Sequence, residues 1–456
     1  MSKSPAPPEG GYGWVIVLAA GLTQCFSGPI MAMFGLLFGS KFDQFESTPT
    51  ERNSVFAIFL VTWCITSLLA GPIVQIRSSR FVAFCATVLN VCGLLIISLA
   101  NCTEMMFLGY GLVMGAGMGL NNLNNILIMT SYFKKRISLA YGIYATGLTV
   151  AQLVLPQLVT LLLRHLSDQQ TILIYAALTS VGFIGSLLMK PVDEFLVWEV
   201  NSEHNSTQEE ELFVAGNKIS SEITSDAESG EEKTEKTHKC GGFLNIFTMI
   251  NWNLLRDPHF IAIAIGNSFV FNSVLSYISQ YVAIASEKGL TLDECANLIS
   301  AASATEIVAK LLIGFLGDLP FLRTIFRYPK KSIYTIAAIG MSFSMLAMTF
   351  SYNFTTVLIS VLLGSFFLSA VQIYTGLVYA EVFPSDLASA LGISNLSRAA
   401  LAFAVGPVIG ALREVSDSFD LPLYFLMSAI LLCMAVWITM DLSGCSKKGN
   451  KQESRI

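Results

Sequence analysis

Twelve runs of roughly twenty or more mostly apolar residues divide this chain, each ended by a short polar break. Six lie at 13–37, 54–76, 81–100, 105–131, 137–163 and 171–190, and six more at 258–284, 293–316, 331–351, 355–380, 388–412 and 421–441. About 20 apolar residues in a helix cross the hydrocarbon layer of a bilayer. The pattern therefore predicts an all-α integral membrane protein with 12 transmembrane helices, arranged as two six-helix bundles at 13–190 and 258–441. Between the bundles, Glu203 to Glu235 mixes Ser, Thr, Glu and Lys with few large apolar side chains, a composition that cannot bury a core. Residues 191–257 are accordingly read as an acidic, partly disordered linker, with a short N-terminal segment at 1–12 and a tail at 442–456.

The composition agrees with a lipid environment. The 456 residues are 53% hydrophobic and 13% charged, about half the charged fraction of a soluble domain. Because much of the acid behind the net charge of -5 sits in the linker, that charge indicates neither an acidic substrate nor a nucleic-acid partner. The nine cysteines include no CxxC, and Cys25, Cys64, Cys85, Cys92 and Cys433 fall within apolar runs, where they read as small packing residues. The polar start, Met1 to Glu9, leads directly into a full-length apolar run, so the first helix is expected to be retained.

Lys and Arg in short loops mark the cytoplasmic side. Alternate loops hold Arg77 and Arg80, then Lys134, Lys135 and Arg136, then Arg323, Arg327, Lys330 and Lys331; the tail holds Lys447, Lys448, Lys451 and Arg455. The intervening loops hold Lys41, Arg52, Arg164, Lys288 and Arg413. Both termini and the linker are thus assigned to the cytoplasm. Of three N-glycosylation sequons, Asn205 falls on that side, and Asn101 and Asn353 sit in very short external turns, so little modification is expected.

Two loop elements suggest an internal duplication. Gly71 to Arg80 follows the second run, and Gly314 to Asp318, trailed by Arg323, follows the eighth. Matching glycine turns suit two similar halves that rock against each other.

Candidate chemistry begins with Glu306 and Lys310, four residues apart in the eighth run and therefore on one helical face. Ionisable groups at membrane depth cost several kcal/mol unless paired or facing an aqueous cavity, which makes the pair a candidate site. Arg398 falls near the middle of the eleventh run, where it must face a cavity or find a partner such as Glu306. Asn121, Asn122, Asn124 and Asn125 in the fourth run, and Asn267, Ser268, Asn272, Ser276 and Tyr277 in the seventh, can bind solute or bond between helices. Phe367, Gln372 and Tyr374 in the tenth mix aromatic and polar groups and read equally as pocket lining or as a lipid-facing surface. No HExxH, GxSxG or Cys/His cluster supports an enzyme or a metal site, and no cofactor is expected.

Two segments carry more. Glu9, Gly10, Gly11, Tyr12, Gly13 and Trp14 open the first run, where the glycines allow close packing and the aromatics anchor at an interface. Tyr132 to Gly147 joins the fourth and fifth runs; Lys134, Lys135 and Arg136 are a topology signal, and Ala140, Gly142, Ala145 and Gly147 permit close helix packing. In both segments, and in the layout as a whole, the chain resembles the monocarboxylate transporter family, solute carrier family 16, of the major facilitator superfamily.

The resemblance implies the major facilitator fold and transport of a small monocarboxylate or related organic acid by alternating access, with proton symport in the family's lactate carriers. It places Glu306 and Lys310 where those carriers have an Asp and an Arg that serve proton and anion, and it makes the tenth helix a wall of the pocket. Those carriers also have a Lys in the first helix; this chain has no Lys or Arg between Trp14 and Gly39, the matching position falling near Ala32. Facilitative transport of a larger or zwitterionic solute, such as an aromatic amino acid or a carnitine-like compound, therefore stays open, as does a non-transporting receptor or scaffold. Asp318 and the glycine motifs would act in conformational change. The expected partners are the solute, a proton, the bilayer and a single-span immunoglobulin-type ancillary glycoprotein, and the expected location is the plasma membrane.

Overall fold

The computed structural model describes residues 10–31, 33–47, 49–190, 249–279, 284–285, 287–290, 292–416 and 418–453, and among them there is no strand. The first half contains α1 (Tyr12–Cys25), α2 (Phe34–Gln44), α3 (Pro49–Ile76), α4 (Ser79–Ser98), α5 (Thr103–Met106), α6 (Gly115–Tyr132), α7 (Ile137–His165), α8 (Asp168–Thr179) and α9 (Gly182–Leu188). The second contains α10 (Pro258–Ser279), α11 (Leu292–Leu316), α12 (Leu322–Ile325), α13 (Pro329–Thr349), α14 (Phe354–Val382), α15 (Leu387–Ser416) and α16 (Asp420–Glu453). Eleven helical stretches among the described residues are long and apolar enough to cross a membrane. The fourth predicted run is not one of them: it is helical over Thr103–Tyr132, but a π-helical stretch, Phe107–Met114, separates α5 from α6. Most of the predicted linker, with Asn205, lies outside the described residues, as does Glu9.

The first run is broken where it was expected to be one helix. Gly28–Met31 forms a 3-10 turn between α1 and α2, because Pro29 has no N–H to extend α1. Lys41, expected in an external loop, is instead buried near the end of α2. Its ammonium donates to the carbonyls of Ile97 (2.8 Å), Ser98 (2.9 Å) and Ala100 (3.3 Å), closing the end of α4, where backbone acceptors are left without intrahelical partners.

Within the first half, glycines let helices touch through their backbones. A Cβ on Gly109 would lie 3.0 Å from the Gly93 carbonyl, and one on Gly115 would lie 2.9 Å from that of Phe59. Between the halves run two seams, α7 against α11 and α3 against α15. A Cβ on Gly71 would meet Ala388 at 2.8 Å, and one on Gly314 would meet the Ser138 carbonyl at 3.0 Å. Each of these two glycines thus rests on the first turn of a helix from the opposite half, at the ends of the seams where Arg77, Arg80, Lys134, Lys135 and Arg136 lie.

Candidate functional site

On the first seam, Gly142 of α7 faces α11 so closely that a Cβ would stand 2.8 Å from the Lys310 carbonyl and 3.1 Å from Gly314 Cα. This approach carries the Lys310 side chain into the other half. Its Nζ donates to Glu306 Oε2 at 3.0 Å on its own helix and to the Thr149 hydroxyl on α7. Thr149 donates in turn to the Ala145 carbonyl at 3.1 Å, so its oxygen can only accept from Lys310. Lys310 is 3% exposed and Glu306 17%, so the carboxylate is the less deeply buried of the two.

Where α11 ends, Asp318 reaches the start of α7. Its Oδ1 accepts from the Ser138 N–H at 3.2 Å and its Oδ2 from the Leu139 N–H at 2.8 Å. The N-cap residue of α7 is Arg136, which makes no side-chain cap, so Asp318 supplies from the opposite half the acceptors that the first turn lacks. Burial raises the Asp318 carboxyl above its ordinary range; the Leu139 and Ser138 donors and the Lys330 charge oppose this without cancelling it.

The second seam holds Arg398. Nη1 donates to Asn395 Oδ1 and Nη2 to Asn267 Oδ1, both at 2.8 Å, and the guanidinium carbon lies 5.0 Å from the centroid of Phe271. Asn395 Nδ2 passes the connection to Ser67 Oγ of α3 at 2.6 Å. Nε is buried without a hydrogen-bond partner. Beside it is a cavity of about 40 Å³, with Leu60, Trp63 and Cys64 on one wall and Phe271, Asn272 and Leu275 on the other. That volume holds a few waters. Glu306 is not the partner of Arg398: among the described residues no carboxylate lies within 4 Å of the guanidinium, and two amide oxygens take its place.

The other candidate residues are dispersed. Asn121 donates to the Thr23 carbonyl and to Gln24 Oε1, and Asn124 to the Ser79 carbonyl, so both tie helices within the first half. Phe367 covers Gly340 of α13, Tyr374 donates to the Ile313 carbonyl at 3.3 Å, and Gln372 is exposed. Gly147 has open space where its Cβ would be and shares the exposed side of α7 with Val150 and Val154; it is not a packing residue, unlike Gly142. The two motif segments meet: a Cβ on Gly13 would lie 2.8 Å from the Phe133 ring, and Trp14 packs on that ring at 5.1 Å. Gly11 takes φ 55° at the start of α1, a left-handed conformation that glycine adopts without strain, and Gly10 accepts the Gly13 N–H. Lys134, Lys135 and Arg136 are exposed beside the Asp318 latch.

Residues 14–290 match the model of the Major Facilitator Superfamily. Mouse monocarboxylate transporter 10 is 23% identical over 96% of this chain and 81% of its own length, and Xenopus laevis monocarboxylate transporter 12 is 26% identical over 92% and 86%. Among solved structures, the E. coli fucose:proton symporter superposes with a TM-score of 0.60 at 13% identity, covering 93% of this chain and 98% of the symporter. A proton:xylose symporter gives 0.61, also at 13%, over 93% and 94%. Twelve helical runs in two halves that meet along two close-packed seams, with cations set into both, agree with these matches: the chain belongs to the Major Facilitator Superfamily and is a multi-pass membrane transporter, not an enzyme, related to proteins named monocarboxylate transporters.

Proposed function

We propose that the protein moves a small monocarboxylate by alternating access, with Arg398 receiving the anionic group and the Glu306–Lys310 pair coupling its arrival to the movement of the halves. The observation that carries this reading is the Arg398 guanidinium beside a cavity between α3, α10 and α15, with its Nε donor unsatisfied. A buried N–H without a partner costs about 1–3 kcal/mol, and a carboxylate would remove that cost with a charge-assisted bond. Around the cation the wall is mostly apolar and aromatic, with the amides of Asn272 and Asn395, and among the described residues it includes no carboxylate to receive an ammonium, which favours a simple anion over a zwitterion.

With the basic loops taken as cytoplasmic, the Asp318 latch and both glycine contacts hold the halves together at that end. The first helix has no cation, and Arg398 takes over the task a lysine there would perform. Glu306, the less buried member of the pair, is the proton carrier if transport is coupled to protons. The plasma membrane as location and a single-span glycoprotein as ancillary subunit belong to this reading as what the family resemblance implies.

The test is uptake of a panel of monocarboxylates and amino acids into cells expressing the protein at the surface, at two external pH values. Arg398→Gln should lower uptake of the preferred acid at least about a hundredfold, and Arg398→Lys should recover only part of it, since a point charge replaces a fork. Unchanged uptake in Arg398→Gln at equal surface expression removes Arg398 from the site. Preference for zwitterions over simple acids removes the monocarboxylate assignment.

A further inference from the structure

Thr149 has no place in the reading above, and among the described residues it is the one side chain of the opposite half to which Lys310 donates a hydrogen bond. We propose that Thr149 is a positioning residue: its hydroxyl is the releasable partner of Lys310, tying the halves together until the solute anion, on its way to or from Arg398, takes its place. The inference rests on the pair's role in transport and adds the element that converts binding into movement.

Three observations lead to it. Lys310 is held between a charged acceptor on its own helix and a neutral one across the seam, so the two bonds differ in strength as well as in location. Charge-assisted bonds between two ions are the stronger kind, and a carboxylate arriving at the ammonium therefore displaces the hydroxyl, not Glu306. The Thr149 proton is committed to the Ala145 carbonyl, which fixes the hydroxyl as an acceptor and matches it to a charged ammonium. Finally, Gly142 and Gly314 let α7 and α11 approach through their backbones, so loss of the Thr149 bond releases a contact between the halves and not a flexible loop.

The surroundings leave few competitors. α7 and α14 are the helices packed against α11; α7 carries Arg164 and His165 only at its far end, and α14 carries Glu381 at its own end. Tyr141 and Tyr144 of α7 and Tyr374 and Tyr379 of α14 are their titratable groups within the span, and Tyr374 donates to the Ile313 carbonyl. Ser369 of α14 reaches the Glu306 carbonyl at 3.4 Å, which leaves the Glu306 carboxylate to Lys310.

Hydrogen–deuterium exchange of the full chain in lipid nanodiscs, without solute, reads the tie through the Ser138 and Leu139 amides that Asp318 latches. Thr149→Val should speed exchange in segment 134–142 about tenfold, and Thr149→Ser should restore the wild-type rate. Lys310→Met, which also leaves Glu306 without its counterion, should speed exchange at least as much as Thr149→Val, and the double variant should go no further than Lys310→Met alone, because both remove the same bond across the seam. Thr149→Ala serves as the hydroxyl-free variant if valine crowds the seam. Wild-type exchange in both hydroxyl-free variants, exchange in Thr149→Ser as fast as in Thr149→Val, or additive effects in the double variant would each overturn the proposal. Since no solute is present, such a failure leaves the Arg398 reading standing; that reading fails separately, in the uptake assay.

Discussion

A buried ammonium has three donors to place, and Lys310 fills two of them with Glu306 and Thr149. Its value to stability lies less in attraction than in the cost of breaking it: a buried ion left without its counterion is strongly destabilising, whereas replacing both partners by apolar groups is often neutral. Glu306→Ala should therefore lower stability by about 2–4 kcal/mol, somewhat below the usual range because Glu306 is 17% exposed. The double variant Glu306→Met with Lys310→Met should come within about 1 kcal/mol of wild type, though it would not transport. Thermal unfolding in detergent compares the two, and a double variant less stable than Glu306→Ala alone would contradict the argument. The pair itself was legible, because i,i+4 spacing puts opposite charges on one face. Thr149 was not, since sequence gives no distance between segments 161 residues apart. One signal was available: Gly142 marks the packed face of α7, and Thr149 lies two turns further along that face. Arg398 was expected near the middle of its run and lies within α15, yet its amide partners Asn395 and Asn267 were beyond sequence alone, because bringing Asn267 to it depends on how α10 meets α15.

Among elements, α7 is the one whose start depends on its neighbour. Asp318 caps it from the other half, and the Asp318 carboxyl is raised by burial while latched. Once released into water the group returns to its ordinary value, so the latched state binds a proton more readily than the released one. Linkage then fixes the sign: the contribution of this group to the latch is fully present at acid pH and is lost as pH rises through the raised value. Exchange in segment 134–142, corrected for intrinsic rate, should accelerate as pH rises from about 4 towards neutral, and Asp318→Asn should abolish the dependence. A slope of the opposite sign would mean that the helix donors, not burial, govern the carboxyl. Hydrophobic runs gave the helix positions because span length is set by the bilayer. They could not give the break at Pro29 or the π stretch at Phe107–Met114, where one residue or a close glycine contact overrides an unbroken apolar pattern.

For the molecule as a whole, the two seams look equivalent but are fastened differently. Gly71 on Ala388 and Gly314 on Ser138 repeat one contact in both halves, which fits the duplication suggested by the two loop elements. Past the glycine the repeat diverges: Asp318 stands four residues after Gly314, and Gln75 four after Gly71. The start of α15 is held from within its own half, where Asn251 donates its side-chain amide to Asp386 at 2.9 Å and its backbone N–H to Ser389 Oγ at 3.1 Å. Among the described residues, the basic-loop end is thus latched across the halves by a carboxylate on one seam only. Removing a cap costs about 1 kcal/mol, or roughly a fivefold change in the ratio of two states. Asp318→Ala should shift the population by that factor towards opening at the basic-loop end, read as faster exchange in 134–142, with little change in unfolding temperature. Asn251→Ala also removes a bond near a helix start, the amide bond to Asp386, but it lies within one half, so it should lower the unfolding temperature by a few degrees and leave exchange in 134–142 unchanged. Equal effects of the two variants on that segment would mean that both seams open as one rigid unit, and the asymmetry between Asp318 and Gln75 would then have no bearing on how the transporter closes.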